Sequence, residues 1–357
     1  MSSSTTRWGI IGTGRVAALF AEGLADAPGA RLAGVCSRTP ARASAFASRH
    51  GASRAHPSAA SLANDPEVDI VYVATPNVDH RNSATAVLEA GKPVVCEKPF
   101  AMDGAEARAI VELARERRVF CMEAMWMRFI PAVRELVERI GAGDLGEVRS
   151  ATIELGHPFV FDANQASWSA RGGGALLDLG PYVVSLAQLL FGRVSRVQSE
   201  ASLSPSGADD HVSALLRHVD GQVSSVAVSL RTRLSNGASI AGTQGLARLH
   251  EPLYRPEALS IVRARPASPA AGDAPRRGAA VRRRLRPAIN ATRTLLSPLP
   301  SGRTLLRPCR GNGYQYQAIE AMRCLRAGEL ESPLMPLDAT VQVMETLDAI
   351  RKGWAGS

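Results

Sequence analysis

Lysine is almost absent from this chain of 357 residues: only three of its 42 basic residues are lysine. One of them, Lys98, stands in Glu97-Lys98-Pro99, directly after the apolar run 94–96. Arginine does not release its proton in proteins, whereas the pKa of a lysine moves readily on burial. In a chain that otherwise uses arginine, Lys98 therefore points to proton chemistry. The alternative is a solvated lysine in a turn before Pro99.

Cysteine pairs, metal-binding spacings and long apolar runs are also missing. The five cysteines form no CxxC pair and the seven histidines show no HExxH spacing, so we expect no structural metal and a reducing compartment. The chain has no run of 18 apolar residues and no secretory leader, which predicts a cytoplasmic protein without a membrane partner. Aromatic residues make up only 5% of the chain, so polar and aromatic substrates both stay open.

A glycine-rich turn follows the first strand-like run, Trp8 to Ile11, and precedes a helical pattern of apolar residues. Its pattern is G-x-G-x-x-A. The first glycine permits a tight turn, the second lets a pyrophosphate approach the backbone, and the small third residue lets helix and strand pack closely. The start of the helix offers unpaired N–H groups to the anion. The sequence thus predicts a dinucleotide site at Gly12, Thr13, Gly14, Arg15, Val16 and Ala17.

The end of the second strand-like run indicates which dinucleotide binds. An acidic residue about 20 residues beyond the glycines would bind a free ribose 2′-hydroxyl, but here the run ends in Ser37-Arg38, with Arg42 one helical turn further on. A hydroxyl and two guanidinium groups suit a 2′-phosphate, which arginine binds with paired hydrogen bonds. We therefore expect NADP. NAD stays the alternative if both arginines are only solvated charges.

Strands and helices alternate up to about residue 125, which predicts an α/β fold with a doubly wound parallel sheet of the Rossmann type. From residue 146 onward, strand-like segments follow one another with few helices between them, which predicts an α+β domain with an open, mostly antiparallel sheet. We expect a dinucleotide-binding domain over residues 1–125 and a substrate-binding and oligomerisation domain over residues 126–357. Two helical patterns, 314–327 and 337–350, end the chain.

A second chemical cluster lies in the stretch from Gly172 to Tyr182. If a helix begins near Ala175, Asp178 and Tyr182 are four residues apart and share one face. A carboxylate and a phenol then point the same way. The alternative is a structural helix, in which Tyr182 packs in the core and Asp178 stabilises the helix dipole.

Six motifs in this order resemble the family of glucose-fructose oxidoreductase and inositol dehydrogenase over nearly the whole chain. Tyr182 resembles the branch of dimeric dihydrodiol dehydrogenase and NADP-dependent xylose dehydrogenase, because many relatives have a histidine at that place. The motifs are Gly12 to Ala17, Ser37-Arg38, Ala74-Thr75-Pro76-Asn77 with His80, Glu97-Lys98-Pro99, Glu123-Ala124-Met125-Trp126 with Arg128-Phe129, and Gly172 to Tyr182.

The resemblance implies a role for each matched residue. Tyr182 would be the base in an alcohol oxidation, Lys98 would supply the positive charge that favours the phenolate, and Asp178 would orient Lys98 or the substrate. A free tyrosine titrates near 10, so work near pH 7 requires a fall of roughly 3 units, or about 4 kcal/mol. Further residues are implied in cofactor binding: Thr75, Asn77 and His80 in the cofactor loop, Glu97, and Trp126 and Arg128 beside the nicotinamide or the substrate. For Trp126, packing between the domains is the alternative.

Residues 263–310 depart from the family pattern. This stretch holds twelve arginines and a single acid, Asp273, so its charge is +11 in a chain of +9. A run such as 282–286 can bind nucleic acid by counterion release, but it is more typical of a solvated or disordered loop, and we expect no nucleic-acid partner.

Two functions from different classes follow. The first is an NADP-dependent dehydrogenase of a sugar, polyol or trans-dihydrodiol, acting as a homo-oligomer, dimer or tetramer. The second is a catalytically silent sensor that keeps the cofactor site and controls a partner. Lys98, Asp178 and Tyr182 favour the first, and only the arginine-rich stretch favours the second.

Overall fold

The computed structural model describes residues 5–264 and 302–354 of the chain. Within these residues the strands form two sheets, one of six strands and one of eight. The six-stranded sheet comes from the first third of the chain, and the eight-stranded sheet begins after residue 147. The predicted fold class, a Rossmann sheet followed by an open, mostly antiparallel sheet, is confirmed.

The six strands of the first sheet are all parallel and lie in the order β3-β2-β1-β4-β5-β6. Strands β4, β5 and β6 are buried throughout, as expected for a sheet covered on both faces. The order reverses between β1 and β4, and ligands of such sheets bind in the crevice outside the carboxyl ends of the strands at that reversal. The strands are β1 (Thr6–Ile11), β2 (Ala30–Cys36), β3 (Arg54–His56), β4 (Ile70–Val73), β5 (Val94–Glu97) and β6 (Cys121–Ala124).

Helices connect these strands, and their ends follow the local sequence. The Asp103 side chain accepts a hydrogen bond from Glu106 N at 2.8 Å and so caps the helix before β6. Gly51, with φ +72°, ends the helix after β2 in the left-handed conformation that glycine adopts easily. The helices are α1 (Arg15–Ala25), α2 (Pro40–His50), α3 (Ala59–Ala63), α4 (His80–Glu89) and α5 (Gly104–Arg117).

The second sheet has the strand order β14-β13-β12-β11-β7-β10-β9-β8. Only β7 and β10 pair in parallel, and every other neighbouring pair is antiparallel. Two helices precede or interrupt the strands, α6 (Pro131–Gly141) and α7 (Ala175–Phe191). The strands are β7 (Val148–Gly156), β8 (Val194–Leu203), β9 (Asp209–His218), β10 (Val223–Ser229), β11 (Ala238–Gly242), β12 (Gly245–Leu249), β13 (Ala258–Arg263) and β14 (Gly302–Leu306).

The predicted arginine-rich stretch 263–310 needs a correction at both ends. Arg263 ends β13, and Arg303 lies in β14 opposite Ile261. Arg307 pairs with Glu135 of α6 at 3.0 Å. Arg263 and Arg303 therefore belong to the sheet through their backbone, and Arg307 links the end of β14 to α6 through its ion pair. The run 282–286 and the rest of 265–301 lie outside the described residues.

The last two helices, α8 (Gln315–Ala327) and α9 (Leu337–Trp354), contact both parts of the molecule. Just before α8, the Asn312 side chain donates to Leu19 O of α1 at 2.7 Å. In α9, Asp348 accepts from Gly104 N of α5 at 2.8 Å, and Ile350 O accepts from Ser199 of β8 at 2.7 Å. Helix α9 thus joins the two sheets, and the division predicted at residue 125 stays a prediction.

The described residues contain neither a helix that could span a membrane nor a metal-binding cluster. No helix in 5–264 or 302–354 is both long and apolar enough to cross a bilayer. The same residues contain no group of three or more His, Cys, Asp or Glu side chains arranged to hold a metal ion.

Candidate active site

The glycine-rich turn between β1 and α1 has the shape that a dinucleotide requires. Gly12 has φ +114°, and a Cβ there would lie 2.2 Å from Ala74 O, so only glycine fits the close approach of the two strand ends. A Cβ on Gly14, in contrast, would meet no atom within 4 Å. The space above Gly14 is open, as the approach of a pyrophosphate demands.

Helix α1 begins at this open space without a side-chain cap. Gly14 is the N-cap residue, and no side chain accepts from the first N–H groups of the helix. Arg15 and Val16 form the first positions of α1, and unpaired N–H groups at such a place bind anions. Thr13 donates to the Ser37 hydroxyl at 3.2 Å and so links the turn to the end of β2. These residues fit a dinucleotide.

The end of β2 presents two free guanidinium groups. Arg38 and Arg42 are both exposed, and neither guanidinium has a hydrogen bond or ion pair in the described part of the chain. Ser37 is half-buried beside them. Two exposed guanidinium groups next to the cofactor turn suit a phosphate ligand, because arginine binds phosphate with paired, charge-assisted hydrogen bonds.

The loop after β4 ties three parts of the molecule together. Asn77 donates to Gly172 O at 2.9 Å, which connects this loop to the glycine-rich stretch before α7. Thr75 lies with its hydroxyl 3.5 Å from that of Ser83. His80 is 1% exposed, and its Nδ1 and Nε2 face Pro99 O at 2.7 Å and Thr75 O at 2.9 Å.

His80 was predicted to line the cofactor loop, and its ring lies there with both nitrogens facing backbone carbonyls of the chain. The ring therefore holds the loop, and its contact with a dinucleotide stays a prediction. Burial lowers the pKa of His80, and a neutral imidazole can donate to only one of the two carbonyls at a time.

Lys98 and Asp178 form the centre of the site. The Lys98 ammonium donates to Asp178 O at 2.7 Å and to Asp178 Oδ1 at 3.0 Å. The Lys98 side chain is 13% exposed and that of Asp178 is 40% exposed. Burial lowers the pKa of Lys98, but the carboxylates of Asp178 and Glu97 outweigh burial, so this pKa is raised. Lys98 is thus a fixed cation and hydrogen-bond donor.

Tyr182 lies one helical turn beyond Asp178 on α7, as predicted, and is 6% exposed. Its hydroxyl accepts a hydrogen bond from Trp126 Nε1 at 2.9 Å. The Lys98 ammonium lies over the Tyr182 ring, 5.0 Å from the centroid. Burial and the Glu97 carboxylate raise the pKa of Tyr182 well above its usual value, and the expected lowering by Lys98 stays a prediction.

Glu97 is buried beside Lys98, and its predicted part in cofactor binding stays a prediction. Its carboxylate accepts from the Tyr72 hydroxyl and, at 3.1 Å, from Lys98 N. Only 4% of the residue is exposed. Burial raises the pKa of Glu97 to about 7, so this group changes charge near neutral pH.

Arg128 is also buried, which corrects its predicted place beside the nicotinamide or the substrate. Its guanidinium donates to Ser185 Oγ at 2.8 Å and to Ser185 O at 3.1 Å, and so binds directly to helix α7. Burial lowers the pKa of Arg128 to about 10. The nearby Glu123 carboxylate is fully buried, and burial raises its pKa to about 7.

Three aromatic residues around Tyr182 escaped the sequence analysis. Tyr314 stacks on Trp126 with centroids 4.6 Å apart, and Tyr254 lies 6.1 Å from the Tyr182 ring. His157, directly after β7, lies 6.2 Å from Tyr254. Each of the three residues lies in a different segment and belongs to no local sequence motif, so only the tertiary structure shows that they lie together. Rarity is the one available signal, because the chain has just five tyrosines.

Asp209, at the start of β9, also escaped the sequence analysis. Its Oδ2 accepts from Leu176 N at 2.6 Å, in the first turn of α7. A Cβ on Gly174, which has φ +94°, would lie 2.2 Å from Asp209 Oδ1. The glycine thus makes room for a carboxylate that caps the helix carrying Asp178 and Tyr182.

Comparison with known families gives two matches. Residues 6–125 match the family described as "Oxidoreductase family, NAD-binding Rossmann fold". Residues 133–248 match the one described as "GFO/IDH/MocA C-terminal domain". The two matches follow the order of the two sheets.

Curated relatives are similar over nearly the full length. The chain is 33% identical to trans-1,2-dihydrobenzene-1,2-diol dehydrogenase of Macaca fuscata fuscata over 350 residues, 97% of this chain and 96% of the relative. It is 32% identical to the human protein of the same name over 353 residues, with the same coverage of 97% and 96%.

Solved structures share the fold at lower identity. A levoglucosan dehydrogenase in complex with NADH and levoglucosan superposes with a TM-score of 0.80 at 23% identity, over 98% of this chain and 97% of that one. The 3-ketoreductase KijD10 from Actinomadura kijaniata, in complex with NADP and TDP-benzene, gives 0.79 at 22% identity over 98% of both chains.

Proposed function

Because this chain belongs to the GFO/IDH/MocA family of oxidoreductases, we propose that it is an NADP-dependent dehydrogenase of a secondary alcohol in a sugar, polyol or trans-dihydrodiol. The observation that carries the proposal is the convergence of Lys98, Asp178 and Tyr182 outside the carboxyl ends of the parallel strands, with Lys98 Nζ 3.0 Å from Asp178 Oδ1 and 5.0 Å from the Tyr182 ring centroid.

Residues from β1, β2 and the loop after β4 would hold the cofactor. The pyrophosphate would lie at Gly12, Gly14 and the uncapped start of α1, where the backbone is open. Arg38 and Arg42 support NADP over NAD, because both are exposed and unpaired in the described chain and a 2′-phosphate would give each a partner. When bound, an oxidised nicotinamide supplies a positive ring that accepts a hydride.

Tyr182 would exchange the proton of the substrate hydroxyl. In the oxidation the alcohol O–H bond breaks and its proton passes to the phenolate oxygen, and in the reduction the phenol returns it. The Lys98 ammonium, held in place by Asp178, would donate a hydrogen bond to the substrate oxygen. The raised pKa of Tyr182 means that the phenol starts protonated, so the reaction requires nearby donors or positive charge.

The ring of Tyr254, 6.1 Å from that of Tyr182, and the ring of His157 beyond it support a cyclic substrate over an open-chain one, because flat side chains pack well against the face of a ring. The names of the relatives in Macaca and human suggest a trans-dihydrodiol as the first compound to test. The sensor alternative has no comparable support, because the arginine run that favoured it lies outside the described residues.

A cytoplasmic homo-oligomer is part of the proposal. All five cysteines are free, which suits a reducing compartment. Helix α7 packs on one face of the second sheet through β7, β9 and β10, whereas Thr152, Leu215 and Ser225 are exposed on the opposite face. That open face could pair with a second copy, and light scattering after size exclusion would measure the mass.

The first experiment follows the absorbance of reduced nicotinamide with purified protein, NADP⁺ or NAD⁺, and a panel of trans-dihydrodiols, pentoses and hexoses. We expect substrate-dependent formation of NADPH that Tyr182→Phe and Lys98→Met each abolish. Lys92→Met is the matched control, since Lys92 donates only to the carbonyls of Asp65 and Val68. Absence of turnover in both directions, with tight NADPH binding, would overturn the dehydrogenase and favour a sensor.

A further inference from the structure

The Tyr182 oxygen receives one hydrogen bond from a side chain of the described residues, and the donor is Trp126 Nε1 at 2.9 Å. An indole N–H can only donate, so the phenol oxygen must be the acceptor. Lys98 does not compete for this place, because its bonds go to Asp178. The hydroxyl hydrogen of Tyr182 is thereby left to point elsewhere.

The indole of Trp126 is held firmly in this position. Tyr314 stacks on it with an interplanar angle of 19°, and only 4% of Trp126 is exposed. Gly313 has φ +97°, and a Cβ there would lie 2.8 Å from Trp126 Cζ3. The neighbouring backbone thus leaves room for the indole and for little else, so the direction of the N–H is fixed by packing.

The hydrogen bond opposes the other influences on Tyr182. Burial and the Glu97 carboxylate raise the pKa of Tyr182, whereas the bond from Trp126 lowers it. A hydrogen bond to an anionic oxygen is roughly twice as strong as one to a neutral oxygen. The N–H therefore stabilises the phenolate more than it stabilises the phenol.

We propose that Trp126 is a positioning residue of the proton transfer: its N–H occupies one lone pair of the Tyr182 oxygen, directs the phenol hydrogen toward the substrate oxygen and stabilises the phenolate. This inference rests on the proposed function, in which Tyr182 exchanges a proton with the substrate hydroxyl. This role of Trp126 differs from the two predicted from the sequence, which were packing between the domains and direct contact with the nicotinamide or the substrate.

The test compares Trp126→Phe with the wild-type protein, because phenylalanine keeps an aromatic ring against Tyr314 and removes the N–H. A pH titration of the ultraviolet absorbance of tyrosinate follows the ionisation of all tyrosines. The difference between the titrations of the proteins with and without Tyr182→Phe gives the ionisation of Tyr182. We expect Trp126→Phe to move this ionisation to higher pH by about one unit. The rate of alcohol oxidation at neutral pH should fall about tenfold and recover as the pH rises, with little change in KM.

Trp168→Phe is the matched control, since the Trp168 N–H is buried and has no hydrogen-bond partner among the described residues; its removal should leave the titration unmoved. If Trp126→Phe does not fold, 3-benzothienylalanine at position 126 keeps the indole shape and replaces the N–H by sulfur. An unmoved tyrosinate titration, or a raised KM with an unchanged pH profile, would overturn the role of Trp126. A wild-type protein without turnover would overturn the proposed function instead, and the titration would still decide the hydrogen bond.

Discussion

The Lys98 ammonium bonds to both the backbone oxygen and the carboxylate of Asp178, at 2.7 Å and 3.0 Å. Lys98 follows the last residue of β5, and Asp178 lies in the first turns of α7, so this contact joins the Rossmann sheet to the helix that carries Tyr182. The cation of the site is therefore positioned by an element 80 residues away along the chain.

Lys98→Met should reduce kcat by about a hundredfold or more, the usual contribution of a positioned acid–base group. Methionine has a similar length but cannot donate to the substrate oxygen. Asp178 would lose its partner but stay partly solvated, so we expect little loss of stability. Steady-state kinetics with NADP⁺ and the best substrate of the panel measure the effect, with Lys92→Met as the control. A kcat within twofold of wild type would contradict the role of Lys98.

Replacing both Arg38 and Arg42 by alanine should raise the KM for NADP⁺ by about a hundredfold or more, because each charged hydrogen bond to a phosphate is worth about 1.5–3 kcal/mol. The KM for NAD⁺ should change little, since it has no 2′-phosphate. Arg49→Ala provides the control, as Arg49 is an exposed arginine at the other end of α2. Equal effects on both dinucleotides would argue against NADP as the natural cofactor.

Asp209→Ala should lower the free energy of unfolding by about 1 kcal/mol, the usual cost of losing a helix cap. Asp209→Asn should lose less, because an amide oxygen still accepts from Leu176 N. Urea denaturation followed by circular dichroism measures both. Asp210→Ala is the matched control, since its side chain makes no hydrogen bond within the described chain. If Asp209→Ala and Asp210→Ala behave alike, the cap does not stabilise α7.

Glu97 should make the protein less stable as the pH rises. Its pKa is about 7 in the folded chain against an ordinary 4.5, so between these values the folded state binds more protons than the unfolded state, and the free energy of unfolding falls with rising pH. The full shift corresponds to about 3 kcal/mol. This loss of stability is absent below pH 4.5, where Glu97 is protonated in both the folded and the unfolded state, and it is complete above pH 7.

Glu97→Gln removes this titration, so its stability should fall less than that of wild type between pH 5 and pH 8. Urea denaturation at the two pH values measures the difference. Glu116→Gln, at an exposed position of α5, should change nothing. Glu123, whose pKa is also raised to about 7, keeps its own share of the pH dependence, and a slope in Glu97→Gln as steep as in wild type would assign the whole effect to Glu123.

Local sequence predicted those parts of the site that lie within one segment. The glycine turn, the position of Ser37 and Arg38 at the end of β2, and the shared face of Asp178 and Tyr182 all follow from a few neighbouring residues, because turn geometry and helix period are local. The long-range parts were missed or misplaced. Nothing near His80 indicates that its ring bonds to Pro99 and Thr75, and nothing near Trp126 indicates that its N–H meets Tyr182.

The sequence alone predicted the two-sheet architecture and the dinucleotide turn, since hydrophobic periodicity and short motifs carry that information. It also singled out Lys98, Asp178 and Tyr182, whose roles in proton transfer are implied by the family resemblance. Tertiary structure alone decided which groups surround them. Burial and the Glu97 carboxylate raise the pKa of Tyr182, and Trp126 is the donor to the phenol oxygen. Desolvation and hydrogen-bond direction depend on distant segments packed together, and no single stretch of sequence records them.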